Sequence, residues 1–154
     1  MEIGATQLQD LRAFCVRHIG PYNTIAEAFE HLGELAGPTG LLAIPGMLML
    51  AIYYDDQEIV PVTQLRSDAA VTVPPGVPLP RGLTETRLDS GRYATTIHSG
   101  PYAGLGAAWA RFRAEVVERC GFSLRSGPYY EIYHNTPEYT PPEELRTELL
   151  LPIG

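Results

Sequence analysis

Five residues occur twice. His18-Ile19-Gly20-Pro21-Tyr22 returns as His98-Ser99-Gly100-Pro101-Tyr102, eighty positions later. The same offset, kept without a gap, sets Arg12 on Arg92, Ala28 on Ala108 and Ile52-Tyr53 on Ile132-Tyr133. Glu58 then meets Glu138, Pro61 meets Pro141, and Leu65-Arg66 meets Leu145-Arg146. A repeat held in one register commits the chain to two copies of one structural unit. With 154 residues in all, the copies are expected to share one pseudo-symmetric domain, 1–154. Repeat one covers about 2–73, a linker 74–80, and repeat two about 82–153.

Each copy predicts the order β-β-α-β-β. In the first, a weak strand pattern over 2–10 precedes a better one at 11–19, which stops at Gly20-Pro21 because proline fixes φ and removes a donor. Thr24 with Glu27 has the form of a capping box. Ile25, Ala28, Phe29, Leu32, Leu35 and Ala36 then recur at helical spacing, predicting a helix over about 23–36 that ends at Gly37-Pro38. Residues 47–54 form an apolar strand, and 62–73 a returning one. The proline-rich run 74–80 is a stiff connector. The second copy repeats this with strands at 84–88, 92–97, 129–134 and 145–151 and a helix over about 103–119, with Gly121 as its C-cap. The fold class is α+β: a largely antiparallel sheet with two helices packed on it and a ligand cleft at the repeat junction.

Charge and cysteine content exclude some roles. The formal net charge of −7 with no basic run argues against direct nucleic-acid binding. No apolar run approaches the roughly 20 residues of a membrane span. Cys15 and Cys120 lack metal or redox spacing, which predicts free thiols in a reducing, cytoplasmic setting. His18 and His98 have no second ligand at metal spacing, so no metal and no cofactor is expected, and their symmetry assigns them to the scaffold.

Function should lie where the copies differ. Met49-Leu50-Ala51-Ile52-Tyr53-Tyr54 aligns with Tyr129-Tyr130-Glu131-Ile132-Tyr133-His134, so Ala51 has become Glu131 inside an apolar and aromatic run. Strand parity puts Tyr129, Glu131 and Tyr133 on one face, beside Met49, Ala51 and Tyr53, with His134 on the other. A carboxylate buried among rings costs several kcal/mol unless it is paired, protonated or met by a cation. Arg146 is the candidate internal partner. Aromatic faces also attract cations; Trp109, on the helix stripe, is either a core residue or, in a pocket between sheet and helix, an aromatic wall.

The twin His-x-Gly-Pro-Tyr turns, Tyr130-Glu131-Ile132-Tyr133-His134-Asn135 and Pro141-Pro142-Glu143-Glu144-Leu145-Arg146-Thr147-Glu148 together carry a resemblance. The chain resembles the GyrI-like small-molecule-binding domains, found also as effector domains of multidrug-responsive bacterial transcription activators. The resemblance implies two units about a pseudo-twofold, with hydrophobic, often cationic, compounds at their junction and a glutamate, here Glu131, in the pocket. Because the first repeat starts almost at Met1, a stand-alone binding module is expected. Its ligand contacts would be Glu131, Tyr53, Tyr129, Tyr133, Trp109, Met49 and Ala51. Two alternatives follow from the same resemblance. One is a hydrolase opening cyclopropanoid DNA alkylators, with Glu131 activating water and a tyrosine, Tyr133, donating to the oxygen that gains charge as the ring opens. The other is a gyrase-inhibitor-like interaction protein whose partner the residues do not name.

Overall fold

Each repeat contributes four strands and one helix to a computed structural model that describes residues 1–154. In chain order these are β1 (Gly4–Leu8), β2 (Arg12–Ile19), α1 (Ala26–Ala36), β3 (Met49–Tyr53) and β4 (Arg66–Thr72). Then follow β5 (Thr84–Arg87), β6 (Gly91–Ser99), α2 (Leu105–Glu118), β7 (Tyr129–Tyr133) and β8 (Arg146–Pro152). All eight strands form one antiparallel sheet in the order β1-β6-β8-β7-β3-β4-β2-β5. The fold is α+β, and the repeats exchange their first strands: β1 pairs with β6 of the second copy and β5 with β2 of the first.

That exchange forces the sheet to curl. β1 and β2 stand six places apart in the sheet but are joined only by residues 9–11. Four Cα steps reach about 15 Å, whereas six flat strand spacings would need about 29 Å. β5 and β6 repeat the constraint through residues 88–90. The inner face therefore closes on an apolar core that includes Cys15, Leu50, Ile52, Tyr93, Tyr130 and Leu150. On the outer face, Ala28, Leu32 and Ala36 of α1 pack on Phe14, Ala69 and Val71, while Ala108, Phe112 and Val116 of α2 pack on Ala94, Leu149 and Leu151. Because α1 stands over β2 and β4 and α2 over β6 and β8, the central strands β3 and β7 have no helix above them. Their outer face is the floor of a groove between the two helices.

The doubled corner joins sheet to helix. Gly20 and Gly100 have φ of 129° and 140°, a region closed to side-chain-bearing residues. Their N–H groups donate to Leu65 and Leu145 carbonyls at 2.8 Å. His18 Nε2 donates to the Pro21 carbonyl at 3.0 Å and His98 Nε2 to that of Pro101 at 3.1 Å. This scaffold use accounts for the capping box failing to form. Thr24 spends its hydroxyl on the Pro21 carbonyl at 2.8 Å and lies 2.9 Å from His18 Nε2. A 3-10 turn, Tyr22–Thr24, leads in, and α1 begins at Ala26 without a side-chain cap. The returning strand is also shorter than 62–73. Pro61 turns the chain into a 3-10 segment, Val62–Gln64, and pairing starts only at Arg66. Gly121 does end the second helix region: at φ 69° it lets the Phe122 N–H return to the Val116 carbonyl at 3.1 Å.

Candidate functional site

The register across the centre of the sheet is Met49 to Tyr133, Ala51 to Glu131 and Tyr53 to Tyr129. Ala51 and Glu131 are counterparts under the eighty-residue offset and also face one another. The pseudo-twofold therefore passes between them. Directly opposite residues bring their Cβ atoms to about 5 Å, where like charges repel. Alanine on one copy makes room for a carboxylate on the other.

Glu131 is 4% exposed. Its Oε1 accepts from the Tyr53 hydroxyl, and its Oε2 has no partner. Burial raises the carboxyl above its ordinary value near 4.5, and the Tyr53 hydroxyl and Trp109 N–H each offset part of that rise. The indole N–H, also buried, reaches no acceptor at full hydrogen-bond geometry. Tyr133, the counterpart of Tyr53, brings its hydroxyl to that of Tyr53, and burial raises both phenols. The two symmetry-related hydroxyls thus converge on the axis where the single carboxylate stands. Flanking them, the buried hydroxyls of Ser67 and Thr147, again counterparts, have no partner. Strand pairing sets Ser67 beside Tyr53 and Thr147 beside Tyr133.

Arg146 does not pair with Glu131. It lies three positions before Leu149, the residue opposite Glu131, so parity turns it to the other face and it sits at the strand's start. Its side chain is exposed, and its backbone N–H donates to Asn135 Oδ1 at 2.8 Å. His134 also faces away, as parity predicted, and meets Glu148 at 2.8 Å. Tyr53, expected as a wall, is the carboxylate's partner.

Rings enclose the rest. Tyr129 stacks on Tyr53 with centroids 5.3 Å apart, and Trp109 meets Tyr129 edge-on at 5.1 Å. Met49 is half-buried opposite Tyr133, and Ala51 is fully buried. Three aromatic residues escaped the sequence reading. Tyr22 packs on Tyr53 at 4.6 Å, while Tyr102 and Phe29 pack on Tyr133 at 5.6 and 5.5 Å. The signal was present, because both tyrosines close the doubled motif and Phe29 aligns with Trp109. The Tyr22 hydroxyl accepts from the Asp55 N–H at 3.0 Å and has the Arg66 carbonyl within donating reach at 3.0 Å, tying the corner to the groove's end.

Two cavities lie away from this groove. One of about 220 Å³ is lined by Leu41 and Val77 to Pro80, and one of about 230 Å³ by Ile44 to Leu48 and Thr72 to Pro74. Neither has a charged lining residue, and the hydroxyls of Thr39 and Thr72 at their walls are bonded to backbone. The unpartnered buried polar atoms, on Ser67, Trp109, Glu131 and Thr147, all face the groove or flank it.

A curled antiparallel sheet with one carboxylate and a set of rings gathered on its pseudo-twofold is the framework of a small-molecule-binding protein. The chain belongs to the GyrI-like small molecule binding domain family, whose model matches residues 1–154. It is similar to curated proteins named DNA gyrase inhibitor. The one from Escherichia fergusonii is 33% identical over 121 residues and that from Salmonella typhimurium 27%, each match covering 76% of both chains. Among solved structures, the EcmrR C-terminal domain superposes with a TM-score of 0.76 at 18% identity, covering 99% of this chain and 97% of that one. A structure solved bound to tetraphenylphosphonium gives 0.69 at 15% identity, covering 100% and 94%. No helix is long and apolar enough to cross a membrane.

Proposed function

We propose that the chain binds hydrophobic, cationic or planar aromatic small molecules in the groove over β3 and β7. Glu131 supplies the charge, Tyr53, Tyr129, Tyr133 and Trp109 the walls, and Met49 the floor of the first copy's half, with Ala51 beneath the surface making room for the Glu131 side chain. The observation that carries the reading is the Glu131 carboxylate, buried among rings with Oε2 unpartnered. A cation there would relieve the cost of burying the charge and gain from the aromatic faces, by about 0.5–2 kcal/mol for each favourable ring. The relative solved with tetraphenylphosphonium, a lipophilic cation, is in keeping with it. The two free thiols support a reducing, cytoplasmic setting.

The test is anisotropy of a cationic dye, rhodamine 6G, with the wild type and Glu131→Gln. The variant is expected to lose about ten-fold or more in affinity, and equal affinity would remove the electrostatic role. Because burial raises the Glu131 carboxyl, wild-type affinity should climb with pH through a midpoint above the ordinary glutamate range.

Two further readings rest on particular observations. The raised carboxyl beside the Tyr53 and Tyr133 hydroxyls favours a hydrolase in which Glu131 takes a proton from water. Mass spectrometry of a cyclopropanoid alkylator incubated with the protein decides it: a water-added product that vanishes in Glu131→Gln is expected of that enzyme. The relatives' name favours an action on DNA gyrase, and loss of supercoiling by gyrase on adding the chain is its readout.

A further inference from the structure

The two lips of the groove carry different charges. Arg113 of α2 lies one helical turn beyond Trp109, with its guanidinium 5.4 Å from the Tyr129 ring centroid. Arg111 of the same helix and Arg119, just past its C-terminal end, both pair with Glu115, at 2.6 and 3.0 Å. Arg113 is exposed and makes no ion pair or hydrogen bond; its one specific contact is that ring. Asp56 and Gln57, in the loop after β3, also bear on the Tyr129 phenol, but Asp56 Oδ1 accepts from the Glu58 N–H at 2.9 Å within its own turn. Under the eighty-residue offset Arg113 answers to Gly33 of α1, where a Cβ would meet nothing within 4 Å. One lip is therefore open, and the other carries a guanidinium with free donors.

From Arg113 the path inward runs over Tyr129, which stacks on Tyr53, whose hydroxyl bonds to Glu131. A positive and a negative group thus stand at the two ends of one aromatic stack. The guanidinium is a planar fork suited to a carboxylate, and Oε2 of Glu131 is suited to a cation.

We propose that Arg113 is a specificity-determining residue, taking the acidic group of an amphoteric aromatic ligand whose cationic group lies toward Glu131. The inference rests on the groove being the binding site and narrows its ligand class to zwitterionic aromatics. A lone cation gains nothing from Arg113. Arg113 faces solvent and is separated from Glu131 by the stacked Tyr129 and Tyr53 rings, so screened repulsion costs such a ligand under about two-fold. A direct arginine–carboxylate pair at an exposed rim contributes up to about five-fold.

The test uses two dyes that differ in one group: rhodamine 6G, a cationic ethyl ester, and its free acid, a zwitterion. Anisotropy titrations compare the wild type, Arg113→Gln and Arg113→Lys. Arg113→Gln is expected to weaken the free acid about three- to five-fold and leave the ester within two-fold, with Arg113→Lys restoring part of the difference. Equal shifts for both dyes, or no shift for either, would overturn the role of Arg113 while leaving the groove as the site. Failure of both dyes to bind the wild type would overturn the groove reading and this inference with it.

Discussion

Across the pseudo-twofold, Tyr22 and Tyr53 answer Tyr102 and Tyr133, whereas Met49, Ala51, Phe29 and Gly33 answer Tyr129, Glu131, Trp109 and Arg113. The first set keeps the same ring in both halves and shapes the groove. In the second set every change adds an aromatic ring, an N–H or a charge to the second copy. The backbone is thus a shared mould, and the chemistry has been gathered into one half of it. The axis explains why. A residue there meets its own counterpart, so a carboxylate can be tolerated in one copy only.

The comparison breaks most sharply if symmetry is restored at the axis. Ala51→Glu would set a second carboxylate opposite Glu131, in a spot with no space and no counter-charge. Its loss of stability in urea melts should be about 3–5 kcal/mol; a loss under about 1 kcal/mol would refute the axis argument. Next in size is Glu131→Gln, which removes a buried charge but keeps an acceptor for Tyr53. A raised folded-state pKa means that the wild type is most stable below the unfolded glutamate pKa and loses stability as pH rises through the folded one. Glu131→Gln should lack that decline and be more stable than wild type at pH 8, by about 1–3 kcal/mol, in paired melts at pH 4 and 8. Tyr53→Phe leaves the carboxylate without its one hydrogen bond. A cost of about 1–2 kcal/mol is expected, with a further rise of the Glu131 midpoint in an NMR titration. The smallest change is at the open lip: Gly33→Ala, in mid-helix with free space around it, should gain about 0.5–1 kcal/mol by thermal melt.

Much of this was legible because the repeat fixed the alignment of the two copies. Parity then placed Tyr129, Glu131 and Tyr133 with Met49, Ala51 and Tyr53 on one face, and the pairing agrees. Parity applied to β8 would also have excluded Arg146 as the partner, had the facing residue, Leu149, been identifiable; strand neighbours and their register depend on topology that local patterns do not encode. The same gap hid the strand exchange, since β1 and β2 follow each other in sequence yet lie six places apart. Thr24 departs from its expected capping role for another reason. A hydroxyl three residues before a glutamate fits a cap, but His18 and the Pro21 carbonyl, brought together by the corner, offered it competing partners.

The exchanged first strands have a consequence for how the molecule comes apart. Each copy is completed by a strand from the other, so the halves are interlocked and neither is a free-standing subunit. Loosening one flank uncovers a pairing edge that belongs to its neighbour. Heating should therefore melt both copies in one cooperative step, with no half-folded species between. A ligand held at the centre would steady the outermost strands of both.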